Sequence, residues 1–192
     1  MGVGEAAADP QALLLFSGGK TRQGSGPRSE GEGYWLVAEA HNWWDKPQVR
    51  ERAFSEDHAR DSFENVIFGL CRFYELTGHY PERLTVVGYE FKEARFRDQH
   101  RAAIKFPLDR FAYVGTPALS PNAFEGEAAA ARAFDTDPYG CSGELLAKRE
   151  SRDPYATGGY SAERCPDMAD LLEWCGPAIF DAYKLPWEQK RR

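Results

Sequence analysis

The chain has 192 residues, 42% of them hydrophobic and 14% aromatic, which supplies a buried core and excludes a disordered segment. A formal charge of -6 and a pI near 5.3 exclude a nucleic-acid binder that works through a broad basic surface. No apolar run reaches bilayer length, and no basic segment precedes the first one, so neither a membrane span nor a secretion signal is expected.

Met1–Asp9 is a small Ala-rich piece leading into LLLFSGGKT, where an apolar run short enough for a buried strand (Leu13–Phe16) breaks into a Gly-Gly turn. In open α/β sheets ligands sit beyond the carboxyl ends of the strands, and glycine lets backbone amides approach them, so Ser17, Gly18, Gly19 and Thr21 are candidate ligand-binding residues. A plain turn without a ligand explains the same residues. The Gly18-Gly19-Lys20-Thr21 string is not a P-loop, because Leu14 stands where that motif needs its first glycine. Arg22–Pro27 reads as a loop. Ser29 then opens a helix that runs towards His41, with Glu32 completing a capping box. Free N–H groups at that start, near Ser29 and Glu30, favour an anion, although Ser29 serves equally well as a simple N-cap.

A short strand is expected over Val49–Phe54. The polar run Glu56–Asn65 opens the clearest helix, Ser62–Thr77, in which Phe63, Val66, Ile67, Leu70 and Tyr74 repeat at helical spacing. Asp61 with Glu64 forms its capping box, and Gly78 with Pro81 stops it. Glu56, Ser62, Glu64 and Asn65 are candidate polar contacts, since Asn65 suits a helix interior only if its amide has a partner. Capping and a solvated face are the plainer account of that run. Leu84–Tyr89 reads as a strand and Phe91–Ile104 as a helix ending before Pro107. Lys92 and Arg95, three apart on one helix face, place cations at the positive end of the helix dipole, which an anion site would explain. Neutralisation by Glu90 and Glu93 would explain it too. Phe111–Thr116 is a third strand.

Beyond it come an Ala-rich helix over Phe124–Phe134, the loop DTDPYGCSG, and short helices at Gly143–Ser151 and Asp167–Trp174. Alternating strands and helices predict an α/β, three-layer Rossmann-like fold with a mostly parallel sheet over residues 1–134. Residues 135–192 form a loop-rich helical extension packed on the same domain. The terminal Lys190-Arg191-Arg192 reads as a solvated tail. Cys71, Cys141, Cys165 and Cys175 show no CxxC and no regular spacing, which reads as a reducing, cytoplasmic setting without structural disulfides. His41, His58, His79 and His100 form no HxH or HxxxH pair, so no metal site is expected. No serine has an obvious histidine partner, and no catalytic residue is assigned.

In order, Ser17-Gly18-Gly19, Ser29-Glu30, Glu56 with Ser62-Phe63-Glu64-Asn65, and Val86-Val87-Gly88-Tyr89-Glu90-Phe91-Lys92-Glu93-Ala94-Arg95 resemble the motifs of the YdcF-like family. Lys92 stands where bacterial members usually carry histidine, and Gly88-Tyr89 replaces Thr-Ser. The string from Phe63 to Phe96 and the DPYG, KRESRDPY and CPDM segments look like the eukaryotic, especially fungal, branch. The resemblance implies a Rossmann-like fold of the kind shared by nucleotide and S-adenosylmethionine binders. It also implies one more strand upstream of Leu13, for which the preceding residues leave no room, so an unpaired edge or a gap is expected beside Leu13–Phe16. The resulting expectation is a small anionic or nucleotide-type ligand above the sheet, cofactor and reaction unassigned. The alternative is a non-catalytic scaffold in which these residues only cap helices.

Overall fold

The computed structural model describes residues 1–117 and 123–189. The tail Lys190-Arg191-Arg192 lies outside them. The order is α1 (Gly2–Ala8), β1 (Leu14–Ser17), α2 (Glu30–Ala40), β2 (Ala53–Glu56), α3 (Ser62–Thr77), β3 (Leu84–Tyr89), α4 (Arg101–Ala103), β4 (Phe111–Thr116), α5 (Ala123–Thr136), α6 (Gly143–Ser151) and α7 (Ala169–Glu173).

The fold is mixed α/β with parallel strand pairing. β1 pairs with β2 from Leu14↔Ala53 to Ser17↔Glu56, and β3 pairs with β4 from Leu84↔Phe111 to Tyr89↔Thr116. The two pairs are separate two-stranded sheets, so β1 and β3 each keep an edge with no strand partner among the described residues. The single continuous sheet is not what forms.

Each half-sheet has its own core. Val3, Ala6, Ala38, Trp43, Val49 and Ala53 bury the β1–β2 half, with Leu14, Phe16 and Trp35 packed on them. Hence Met1–Asp9 is not just a lead-in: Val3 and Ala6 dock α1 on this core. The larger core surrounds α3, whose Phe63, Val66, Ile67, Leu70 and Cys71 meet β3, β4 and the C-terminal extension through Phe106, Phe134, Tyr139, Met168, Leu185 and Trp187. α3 begins and ends where its caps put it. Asp61 accepts the Glu64 amide, and Gly78 takes the left-handed conformation at φ 75°.

Three expectations need correction. Residues Pro47–Arg52 wind into a 3₁₀ helix, and the strand begins later, at Ala53, because Val49 is drawn into the core rather than into the sheet. The Phe91–Ile104 helix is broken into a 3₁₀ turn at Glu90–Lys92 and a π-helical stretch at Arg95–His100, which turns Arg95, Phe96 and His100 inward together. Finally, all four cysteines are bonded, as Cys71–Cys165 and Cys141–Cys175, so the reading of no structural disulfide is overturned. Folding, not sequence spacing, brings each pair together. The cysteines therefore no longer argue for a reducing setting, because such bridges persist in oxidising surroundings. No helix among the described residues is long and apolar enough to cross a membrane.

Candidate functional site

The carboxyl end of the β1–β2 pair and the π-helical stretch that follows β3 both meet the start of α3. From β1, Ser17 Oγ lies 2.9 Å from Asn65 Oδ1, and from beyond β3, Arg95 Nη1 donates to Ser62 Oγ. Ser62 and Asn65 are three apart on one helix, so the Ser17 turn and the Arg95 turn open on the same rim.

The glycine turn does different work from that expected. Gly18 donates to the Glu56 carbonyl and Gly19 to the Ala59 carbonyl, while their own carbonyls accept from Gly31 and Glu30. Both backbone amides, and the first amides of α2, are therefore satisfied inside the protein and are not offered to a ligand. The glycines permit close approach instead. A Cβ on Gly31 would lie 2.3 Å from the Phe16 carbonyl oxygen, and one on Gly19 would lie 2.8 Å from that of Ala59. Ser29 caps α2 by accepting the Glu32 amide and donates to Asp57, and Thr21 donates to Glu30 Oε1 at 2.5 Å.

Two more candidates are committed to ion pairs. Arg95 is buried and makes a two-pronged contact with Glu127, 2.6 Å on each side. Glu64 is held by Arg60 at 2.6 Å and approached by Arg149 at 3.3 Å, while Arg149 Nε donates to Asp61 at 2.6 Å. These residues build the wall of the site.

Lys92 is different. It is half-buried over the Tyr89 and Phe91 rings at 5.5 and 5.7 Å, and no carboxylate lies within 4.0 Å of it among the described residues. Burial and then Arg95 hold its amine below the usual lysine range, with Arg152 adding to the repulsion. Lys148 on α6 is also held below the usual range: burial, Arg152, Arg95 and Lys92 disfavour its charge, and Asp61 favours it. Glu127 pairs with Arg95 and also favours the Lys92 charge, followed by Glu30. The rim thus holds more positive charge than the protein compensates, against a chain that is acidic overall.

Glu56, at the end of β2, is 1% exposed, with Oε1 accepting from the His58 and Ala59 amides at 2.7 and 3.1 Å. Desolvation pushes its carboxyl up to about 7 despite those bonds and the one to Ser17.

A serine–histidine pair also appears that the sequence did not disclose. Ser62 Oγ lies 2.8 Å from Nε2 of His100, which is fully buried among the Phe63, Phe96 and Phe134 rings. Burial, Arg95 and Arg149 keep the imidazole well below its usual range, so it is neutral, and Nδ1 has no partner among the described residues. Among the described residues no carboxylate orients Nδ1, and a ring of such low basicity is a poor general base. The pair fixes Ser62 in place.

Lys148, Arg149 and Arg152 were missed because they come from the extension. Their local signal was the four-residue spacing of Lys148 and Arg152, which shares a helix face. Among the described residues no cluster of histidine, cysteine and carboxylate side chains has the makings of a metal site.

No protein-family model matches this chain. It is similar to an uncharacterised protein of Saccharomyces cerevisiae, 25% identical over 237 residues covering 94% of this chain and 78% of the yeast protein. No solved structure matches it.

Proposed function

We propose that this chain is a YdcF-like α/β protein that binds a small anionic or nucleotide-type ligand at the rim between β1 and β3. One observation carries the reading: Lys92 and Lys148 are half-buried cations on a shared rim, neither with a carboxylate within 4.0 Å among the described residues. Desolvating two amines side by side is unfavourable unless a counter-charge arrives, and a phosphate or carboxylate is that counter-charge. Arg95 and Glu64 position the wall, Ser62 holds Arg95 in it, Asn65 supplies a polar contact, and Tyr89 offers a ring face beside Lys92. Nucleotides and S-adenosylmethionine are the candidates the family resemblance adds.

The test is a thermal-shift screen of pyrophosphate, ADP and S-adenosylmethionine on the wild-type chain, Lys92→Ala and Lys148→Ala. A ligand at a hundredfold its dissociation constant adds about 2.7 kcal/mol of stability, roughly 5–11 °C for a chain of this size. Each alanine variant is expected to lose that shift while keeping its ligand-free midpoint. No shift with any anion overturns the reading in favour of a non-catalytic scaffold.

A further inference from the structure

Ser17 has one hydroxyl proton and two acceptors. Its Oγ is 2.5 Å from Glu56 Oε2 and 2.9 Å from Asn65 Oδ1, and it cannot donate to both. With Asn65 Oδ1 turned towards Ser17, the proton count closes in one way. Glu56 carries a proton on Oε2 and donates it to Ser17 Oγ, and Ser17 donates to Asn65. Asn65 Nδ2 is then left without a partner among the described residues, on the half-buried first turn of α3 beside Ser62.

If Glu56 loses its proton, the chain must reverse. Ser17 then donates to the carboxylate, and Asn65 satisfies Ser17 only by turning its Nδ2 inward, which brings Oδ1 to the rim. A donor facing the rim attracts an anion, and an acceptor there repels one.

We propose that Glu56–Ser17–Asn65 is a proton-controlled relay that sets whether the rim shows an anionic ligand a donor or an acceptor, so that the ligand binds together with one proton. This rests on the anion-site reading above. The proton comes from solvent onto Glu56 Oε2, and no other bond is made or broken. The surroundings of Glu56 are consistent with a neutral acid. Its carboxyl oxygens meet Ser17 of β1 and the His58 and Ala59 amides, Asn65 of α3 reaches it through Ser17, and Gly31 of α2 packs on its backbone carbonyl. Asp57 is the charged side chain that acts on it, and its charge also opposes ionisation.

Two measurements decide the matter. Difference infrared spectroscopy across neutral pH follows the carbonyl band of a neutral carboxylic acid and needs no ligand. The expected result is a band that bleaches with a midpoint near 7 and is absent from Glu56→Gln; a band that is missing under mildly acidic conditions, or unchanged by the substitution, overturns the relay. Sulfate, which does not titrate in this range, serves as the probe for calorimetry on the wild-type chain, Glu56→Gln and Ser17→Ala. If only the neutral acid accepts the anion, wild-type affinity falls by up to about thirtyfold between roughly pH 6 and pH 8.5.

Glutamine reproduces the neutral acid, donating to Ser17 and accepting from the amides, so Glu56→Gln should lose that dependence and keep the high affinity. Ser17→Ala should lose the dependence while retaining the infrared band. Equal pH dependence in all three proteins overturns the coupling. Absence of sulfate binding in wild type under every condition overturns the anion site and with it the relay's coupling to a ligand, and the infrared result then still decides whether Glu56 holds the proton.

Discussion

Replacing Arg149 by methionine removes the cation that ties the extension to the start of α3. Arg149 Nε donates to Asp61 Oδ2 at 2.6 Å and stands 3.3 Å from Glu64 Oε1, with the Asp61 and Glu64 side chains 1% and 4% exposed. Methionine keeps most of the volume but leaves the Asp61 carboxylate with only its cap to the Glu64 amide. Glu64 retains Arg60. Removing one partner of a buried pair costs about 3–5 kcal/mol, and the surviving cap puts this case near 3. For a chain of this size that is a fall of roughly 6–12 °C in the unfolding midpoint. Chemical denaturation of the single variants Arg149→Met and Asp61→Asn and of the double variant measures the coupling directly. The double variant is expected to be more stable than the sum of the two losses, because no uncompensated charge remains, and added salt should leave the coupling nearly unchanged. A loss below about 1 kcal/mol for Arg149→Met, or additive losses, would refute the argument that this pair fastens the extension.

Glu56 makes a second prediction, with a definite sign. Its carboxyl is raised from the ordinary 4.5 to about 7, so the folded state holds a proton that the unfolded state releases, and stability is full below about pH 4.5 and falls as pH rises to about 7. Between roughly pH 5.5 and 8.5 the wild-type chain should lose about 2 kcal/mol that Glu56→Gln does not, read as diverging melting midpoints. The Cys71–Cys165 bridge closes a separation of 94 residues and Cys141–Cys175 one of 34. Their loss through reduction should cost about 3–5 kcal/mol for either bridge, measured by melting with and without a thiol reductant; an unchanged midpoint would speak against both. Gly31→Ala should destabilise the β1–β2 half by several kcal/mol, about 3 or more, since its Cβ would meet two backbone carbonyl oxygens at 2.3 and 2.8 Å. A thermal scan near the wild-type midpoint would contradict the close-approach role of that glycine.

Where local rules and packing agree, the sequence is easily read. α3 runs from Ser62 to Thr77 as its apolar spacing and caps require, and β3, β4 and α6 fall on their expected residues. Where tertiary packing overrides propensity, it misleads. Val49 looks like a strand residue but is a core anchor inside a 3₁₀ helix, and the π-helical stretch after Arg95 has no signature in a 3.6-residue period.

The candidate site divides along the same line. Glu56, Ser17 and Asn65 are joined by hydrogen bonds, Arg95 reaches Ser62 on the same helix start, and Lys92 lies near Arg95, because the ends of β1 and β2 and the turn after β3 all reach α3. Gly18, Gly19 and the first amides of α2 look like a phosphate cradle in one dimension. In three dimensions they bond each other and β2, a pairing visible only once α2 is laid across the strand ends. Lys148 and Arg152 arrive from an extension whose docking depends on long-range contacts and on Arg149, so no local pattern could place them.

A selenate soak, with the anomalous signal of selenium located by diffraction, asks the central question most directly. Selenate should sit between the amines of Lys92 and Lys148 with Asn65 on its edge, and the peak should vanish in Lys92→Ala. Selenium found only elsewhere on the surface, or a peak at the rim indifferent to that substitution, would contradict the account.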